Sequence, residues 1–153
     1  MYEHIKFKNA INMRKANYDK FPSTKLTGML VQGWDSIISM LKKKMDARKV
    51  LAVDLYTGVY EEEVLDAFSK EFSGRVMNVR DLMKPEKEIQ ALTERFMTED
   101  VLFGYVTNLR LEDYLDADKV AAARKQISEA KETIVIIGTG AAVVAPQDAM
   151  VVY

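Results

Sequence analysis

The sequence predicts a three-layer α/β domain, in which helices flank a mostly parallel sheet of about five strands. Short apolar runs of the strand type alternate along the chain with helical segments of about 10–15 residues, which is the pattern of βαβ units. Two of these runs contain four consecutive apolar residues, Val50–Val53 and Ile134–Ile137, as in strands covered on both faces. The length of 153 residues and the apolar content of 48% leave room for one sizeable core.

The first half of the chain begins this alternation. A helix is predicted over Trp34–Met45 from apolar residues at helical spacing, and a buried strand over Val50–Tyr56. The next helix is expected over Tyr60–Phe72, because three glutamates in its first turn lie at the end of the helix dipole that favours carboxylates. Gly74 ends it, and a second strand is predicted over Arg75–Val79.

The second half continues in the same way. Helices are expected over Pro85–Phe96 and Ala117–Ala130, and strands over Val101–Val106, Thr133–Ile137 and Ala149–Tyr153. Proline at a first helical position costs little, because its missing N–H has no partner there. Asp116 can cap the second of these helices.

Composition excludes several classes of chemistry. The chain has no cysteine and one histidine, His4, so disulfide scaffolds, cysteine-ligated metals, thiol catalysis and histidine-rich metal sites are excluded. No apolar run approaches the roughly 20 residues of a membrane-spanning helix, and the N-terminus does not open a signal peptide. We therefore expect a soluble, cytoplasmic protein without a membrane partner, a metal site or a cofactor of its own.

Charge divides the chain into a basic arm, residues 1–28, and an α/β domain, residues 29–153. The arm carries six basic and two acidic side chains, and the domain carries 16 basic and 21 acidic ones. The basic residues of the arm are scattered rather than aligned on one helix face, so we expect a solvated arm and no nucleic-acid partner. Because the chain stops on an apolar strand, we expect it to be cut before a further domain.

The first candidate site follows the first predicted strand, since ligands of open parallel sheets bind at the carboxyl ends of the strands. Asp54, Thr57 and Gly58 lie there, in the strand–turn–helix layout of a phosphate-binding loop. The turn has one glycine, no lysine and three carboxylates where a phosphate would meet the helix, so an ATP-binding P-loop is not expected. Asp54 interrupts an apolar run, and it remains a candidate ligand contact, catalytic base or magnesium ligand.

The second candidate site follows the strand Thr133–Ile137. Gly138 and Gly140 form a G-x-G fragment, but Val143 occupies the third glycine position of a dinucleotide fingerprint. The next strand also follows too soon for a full Rossmann helix. We interpret the two glycines mainly as positions where the backbone passes closely at the sheet edge, with nucleotide binding as the alternative.

A third candidate consists of two arginines that follow other strands. Arg80 and Arg110 can jointly hold a phosphorylated ligand by bidentate hydrogen bonds. The alternative is that they form ion pairs with Asp81, Glu112 or Asp113 and organise the loops. The sequence alone leaves both interpretations open.

Several segments together resemble one protein family. They are Asn17–Pro22, Gly58–Leu65, Lys84–Ile89, Phe103–Tyr114 and Gly138–Ala141. They resemble the N-terminal region of long bacterial forms of class I mannose-6-phosphate isomerase, in which a kinase-like α/β domain precedes a cupin domain. The resemblance implies a fold similar to uridine-kinase-type P-loop domains with a degenerate phosphate loop. It also implies that any zinc belongs to the absent cupin domain, which would be the partner of this domain within the same parent chain.

Three functions follow as hypotheses. The leading one is a non-catalytic accessory or regulatory domain of a mannose-6-phosphate isomerase-like protein, in sugar-phosphate metabolism. The second is a domain that binds a nucleotide or sugar phosphate at the strand ends, through Asp54, Thr57, Arg80 and Arg110. The third is a phosphotransferase that uses Asp54, which the missing lysine disfavours because phosphoryl transfer depends on charge neutralisation.

Overall fold

The computed structural model describes residues 18–25, 27–45, 47–100 and 102–153, and the chain divides into two compact units, Met1–Leu30 and Val31–Tyr153. Most of the predicted basic arm, including His4, lies outside the described residues. The described part of the first unit contains no helix or strand. It contains a local turn in which the Asp19 carboxylate accepts a hydrogen bond from the Phe21 amide.

Four parallel strands form the sheet of the second unit: β1 Val50–Asp54, β2 Arg75–Asn78, β3 Ile134–Gly138 and β4 Met150–Val152. Their spatial order is β2-β3-β1-β4, so β1 and β3 are interior strands. Every residue of β1 and β3 is buried except Asp54, because helices cover both faces. The predicted α/β fold with a parallel, helix-flanked sheet is therefore confirmed, with four strands rather than about five.

The described residues form six α-helices: α1 Trp34–Met45, α2 Glu61–Glu71, α3 Glu86–Thr93, α4 Leu111–Tyr114, α5 Ala117–Glu129 and α6 Ala141–Val144. Short 3-10 turns follow β2 at Val79–Leu82 and α3 at Glu94–Phe96. The predicted cap of α5 is confirmed, since the Asp116 carboxylate accepts hydrogen bonds from the Asp118 and Lys119 amides at 3.0 and 3.1 Å. In the described parts of the chain, no helix has both the length and the apolar character that crossing a bilayer requires.

Alternate residues of the interior strands face the two helical layers. One layer is α1 with α2, packed on Leu51, Val53, Val135 and Ile137. The other layer contains α5 and α6, packed on Val50, Ala52, Ile134 and Ile136. The connection from β1 to β2 and the connection from β2 to β3 run in opposite directions across the sheet. Because crossovers between parallel strands are right-handed, the helices in these two connections, α2 and α5, lie on opposite faces of the sheet.

Residues 83–114, which we call the excursion, leave and re-enter the domain at one point between β2 and α5. The Lys84 amide donates a hydrogen bond to the Tyr114 carbonyl, and the Asp116 amide donates one to the Leu82 carbonyl, both at 2.9 Å. No described residue of the excursion is buried. Its helix α3 also has no buried residue, and among the described residues of the excursion Met83, at its start, is the partly buried side chain that packs against the sheet core.

The strand predicted over Val101–Val106 is wrong, because the described residues 102–106 of this segment form no strand. The side chains of Leu102, Phe103, Tyr105 and Val106 are largely exposed, and that of Val106 is 98% exposed. The Asp100 carboxylate accepts hydrogen bonds from the Leu102 and Phe103 amides at 2.8 and 3.2 Å. Such local bonds give the backbone an alternative to a β-ladder, which an apolar pattern cannot reveal.

Candidate functional site

The carboxyl ends of β1 and β3 form the switch point of the sheet. The two strands are parallel neighbours, with Asp54 paired to Gly138 in register. The chain leaves β1 toward α2 on one face and leaves β3 toward α6 on the other face. A crevice at such a divergence is where ligands of open α/β sheets bind. The structure therefore places Asp54, Gly138 and Gly140 at the expected carboxyl ends of the strands.

Asp54 binds its own chain across this switch point. One carboxylate oxygen accepts a hydrogen bond from the Gly140 amide at 2.9 Å, and the other accepts one from the Ala142 amide at 3.0 Å. A carboxylate in this position satisfies amides that a helix start otherwise leaves without partners. The acid that interrupts the apolar run of β1 is thus explained by an internal cross-link to the turn after β3.

Further hydrogen bonds join the two turns above the sheet. The Leu55 amide donates to the Gly138 carbonyl at 3.3 Å, and the Thr139 hydroxyl donates to the Leu55 carbonyl at 3.0 Å. Together with the bonds of Asp54, they connect the segments after β1 and β3 through both backbone and side chains. The crevice at the switch point is therefore bridged by the protein itself.

Gly138 and Gly140 serve the backbone geometry of this turn. Gly138 has a φ of +135°, and a Cβ atom there would lie 2.9 Å from the Cβ of Val79 in the turn after β2. Gly140 has a φ of +88° directly before α6. The close approach expected from these glycines is present at Gly138, against the Val79 side chain, and not at Gly140, and Gly138 ends an interior strand rather than an edge strand.

Thr57 and Gly58 lie in the exposed turn that connects β1 to α2. The turn is closed by a hydrogen bond of 3.2 Å from the Val59 amide to the Tyr56 carbonyl. Gly58 has a φ of +99° and open space around it, so the Cβ of a side chain would meet no other atom there. The turn needs glycine because this residue adopts a positive φ without strain. No hydrogen bond within the described residues joins Thr57 to another candidate residue.

Arg80 forms an ion pair that the sequence analysis did not anticipate. Its guanidinium lies 3.1 Å from one carboxylate oxygen of Glu61, the first residue of α2. The other oxygen of Glu61 is buried and has no hydrogen-bond partner within the described residues. Glu63, two residues later, accepts a hydrogen bond of 3.1 Å from the indole of Trp34. The glutamates at the start of α2 therefore contact different partners and do not converge on one point.

Arg110 precedes α4, at the end of the excursion. Its amide donates a hydrogen bond to the Asp113 carboxylate at 2.7 Å, and its side chain is exposed. Within the described residues, its guanidinium makes no ion pair and shares no partner with Arg80. The two arginines are thus used differently, and the structure does not join them in one phosphate-binding arrangement.

Sequence reasoning missed a concentration of basic side chains at the opposite, amino-terminal end of the strands. Lys44, Arg48, Lys49 and Arg124 line one groove there, although they lie on three separate segments of the chain. Lys44 in the last turn of α1 is also explained by the helix dipole, which favours cations there. The sequence signal that could have indicated this groove was the position of Arg48 and Lys49 directly before a buried strand.

The described residues contain no group of three or more histidine, cysteine, aspartate and glutamate side chains arranged to hold a metal ion.

Comparison with known proteins gives one family. No curated protein and no solved structure matches the chain. A family model described as a domain of unknown function, DUF8485, matches residues 33–153, which include every strand and helix of the α/β unit. The chain therefore belongs to the DUF8485 family.

Proposed function

We propose that this chain is a non-catalytic accessory domain that contacts the cupin domain of a mannose-6-phosphate isomerase-like protein. The isomerase-like parent and its cupin domain come from the sequence resemblance alone, and the observation that carries the non-catalytic part of the proposal is the position of Asp54. Both of its carboxylate oxygens accept hydrogen bonds from amides of the turn after β3, so this acid cross-links the ends of β1 and β3. A catalytic base or magnesium ligand in this crevice would have to act through a group already held on both oxygens.

The charge of Arg80 and the surface of the excursion support the same proposal. Arg80 is partly neutralised by Glu61, which weakens its attraction for a phosphate. The excursion presents exposed side chains of Leu102, Phe103, Tyr105 and Val106 that contribute nothing to the buried core. Exposed apolar clusters often mark contact surfaces for other proteins or domains. In this proposal the protein is cytoplasmic, and zinc is held by the cupin domain.

The test is turnover by the isolated 153-residue chain. We expect no interconversion of mannose 6-phosphate and fructose 6-phosphate, with or without added zinc, in a coupled spectrophotometric assay. A catalytically active cupin isomerase, assayed in parallel, shows that the assay detects turnover. Turnover that copurifies with the chain and is lost in Asp54→Asn would overturn the proposal.

A second candidate function is the binding of a nucleotide or sugar phosphate at the switch point. It is favoured by the exposed Arg110 guanidinium, which has no ion pair within the described residues, and by the exposed Tyr56 and Tyr60 on the turn after β1. A double variant, Arg80→Ala with Arg110→Ala, should then abolish the thermal stabilisation by UTP or mannose 6-phosphate. A ligand at 100 times its Kd adds about 2.7 kcal/mol of stability, which a shift in melting temperature reveals.

The matched control for this second candidate is Lys70→Ala with Lys87→Ala. It removes the same number of positive charges from exposed positions on α2 and α3. An unchanged ligand response in the arginine variant, or an equal loss in both variants, would reject the arginines as the binding residues.

A further inference from the structure

A groove of 1110 Å³ lies at the amino-terminal end of the strands, opposite the switch point. Its walls come from the end of α1 and the segment leading to β1, from the second half of α5, and from the turn between α6 and β4. Small-molecule sites typically have volumes of about 300–1,000 Å³, so this groove is large enough for an organic ligand. None of the predicted site residues contributes to it.

The described lining of the groove is strongly basic. It carries Lys44, Arg48, Lys49 and Arg124 against one acid, Asp148. This concentration contrasts with the composition of residues 29–153, where 21 acidic residues outnumber 16 basic ones. A cleft lined by one sign of charge raises the local concentration of ligands of the opposite sign. The groove is thus electrostatically suited to an anion.

One of these side chains is already held in place, and the groove floor is apolar. The Arg124 guanidinium donates hydrogen bonds to the Val143 carbonyl at 2.7 Å and to the Val144 carbonyl at 3.4 Å. Buried Val50, Ile127 and Val144 lie beneath the basic rim. Within the described residues, which do not include Asp46, the side chains of Lys44, Arg48 and Lys49 form no hydrogen bond or ion pair. An apolar floor below a basic rim suits a ligand with an organic part and a multiply charged part.

Helix dipoles explain only part of this arrangement. Lys44 lies in the last turn of α1, and Arg124 binds the last carbonyls of α6, so both lie where helix ends favour cations. Arg48 and Lys49 follow α1 and lie outside its last turn, although the Arg48 amide still donates a hydrogen bond to the Met45 carbonyl at 2.8 Å, so the helix dipole explains Lys49 least well. Their exposed positions beside the other two basic residues therefore call for another explanation.

We propose that this groove binds a phosphate-bearing organic anion. Arginine and lysine are the residues that most often bind phosphate, arginine through bidentate contacts and lysine as a point charge. Four cations from three segments of the chain match an anion with more than one negative charge. The apolar floor contacts the organic part. This site is separate from the switch point, and it does not depend on the accessory role proposed above.

The experiment is isothermal titration calorimetry of the chain with two probes, magnesium-free ATP and inorganic tripolyphosphate. The double variant Arg48→Glu with Lys49→Glu reverses two exposed charges of the groove. The matched control, Lys70→Glu with Lys87→Glu, makes the same change in net charge on α2 and α3. Circular dichroism and melting temperature confirm that both variants fold.

We expect saturable binding of ATP by the wild-type chain. The Kd for ATP should be at least about tenfold higher in the groove variant, which corresponds to about 1.4 kcal/mol, and should change by less than about twofold in the control variant. Amide chemical shifts should move at the groove, for example at Lys49, Ser128 and Ala149. Equal weakening in both variants, or no saturable binding, would overturn the proposal. If ATP binds no more tightly than tripolyphosphate, the assignment of an organic part to the apolar floor is wrong.

Discussion

The sheet and the excursion are built in opposite ways, although each contains continuous apolar sequence. In β3, Ile134 to Gly138 are all buried between two helical layers. In the excursion, the apolar stretch around Phe103 is exposed, and its conformation depends on short-range bonds such as those of Asp100. The comparison teaches that apolar residues specify burial only where a neighbouring element is available to cover them. Four predictions test this contrast, from the largest expected effect to the smallest.

The largest difference should appear in amide hydrogen exchange of the unmodified chain. Amides of β1 and β3 are expected to exchange only through global unfolding, at a cost of about 5–15 kcal/mol for a domain of this kind. Amides of residues 102–106 lie in exposed backbone outside any ladder and should exchange through local opening with little protection. Exchange followed by NMR measures both regions in one sample. Protection in the excursion equal to that of β3 would remove the contrast.

Truncation of a buried side chain comes second. Ile136→Ala removes a side chain with no exposed surface and leaves a cavity between β3 and α5, so the free energy of unfolding should fall by about 2–5 kcal/mol. The slightly smaller truncation Val106→Ala, at a position that is 98% exposed, should change it by less than about 0.5 kcal/mol. Urea denaturation measures both values. Similar losses in the two variants would show that the excursion packs as tightly as the sheet.

Two glycine replacements compare how well the sheet and the excursion accommodate an added methyl group. In Gly138→Ala the new methyl group meets the Val79 side chain in the interior of the sheet, which should cost about 1–3 kcal/mol through overpacking, with strain from the positive φ in addition. In Gly104→Ala the methyl group would lie 2.6 Å from the Phe96 carbonyl oxygen, within the excursion.

We expect the Gly104 variant to adjust locally, so its melting temperature should stay close to that of the wild type while proteolysis within residues 97–110 accelerates. Calorimetry and limited proteolysis separate the two outcomes. A large fall in melting temperature for Gly104→Ala would show that the excursion unfolds together with the sheet.

The smallest contrast concerns two carboxylates that bind backbone amides. Asp54→Asn keeps one acceptor oxygen but loses the charge and the second acceptor, so we expect a loss of about 1–2 kcal/mol from the cross-link between β1 and α6. Asp113→Asn weakens the single bond to the Arg110 amide in the exposed excursion and should cost about 0.5 kcal/mol or less. Thermal unfolding of both variants measures the difference. An unaffected Asp54→Asn variant would mean that the cross-link contributes nothing to stability.

The candidate site shows where sequence reasoning succeeded and where it could not. The strand-end position of Asp54 was predictable, because strand boundaries follow from apolar runs and turn residues. Its partners were not predictable, since the Gly140 and Ala142 amides lie 86 and 88 residues away along the chain. The same holds for Arg80, which pairs with Glu61 rather than with any of the nearby acids. The basic groove at the opposite end of the strands is also assembled from separated segments.

The sequence by itself determined the local elements. Apolar periodicity, a capping aspartate at Asp116 and glutamates at the start of α2 act within a few residues of the chain, so they predict helices and strands directly. Only the tertiary structure decided the strand order β2-β3-β1-β4, the exposure of the apolar residues in the excursion, and the partners of Asp54 and Arg80. The physical reason is that these features depend on which distant surfaces are available to cover or bind a residue, and that availability exists only after the chain has folded.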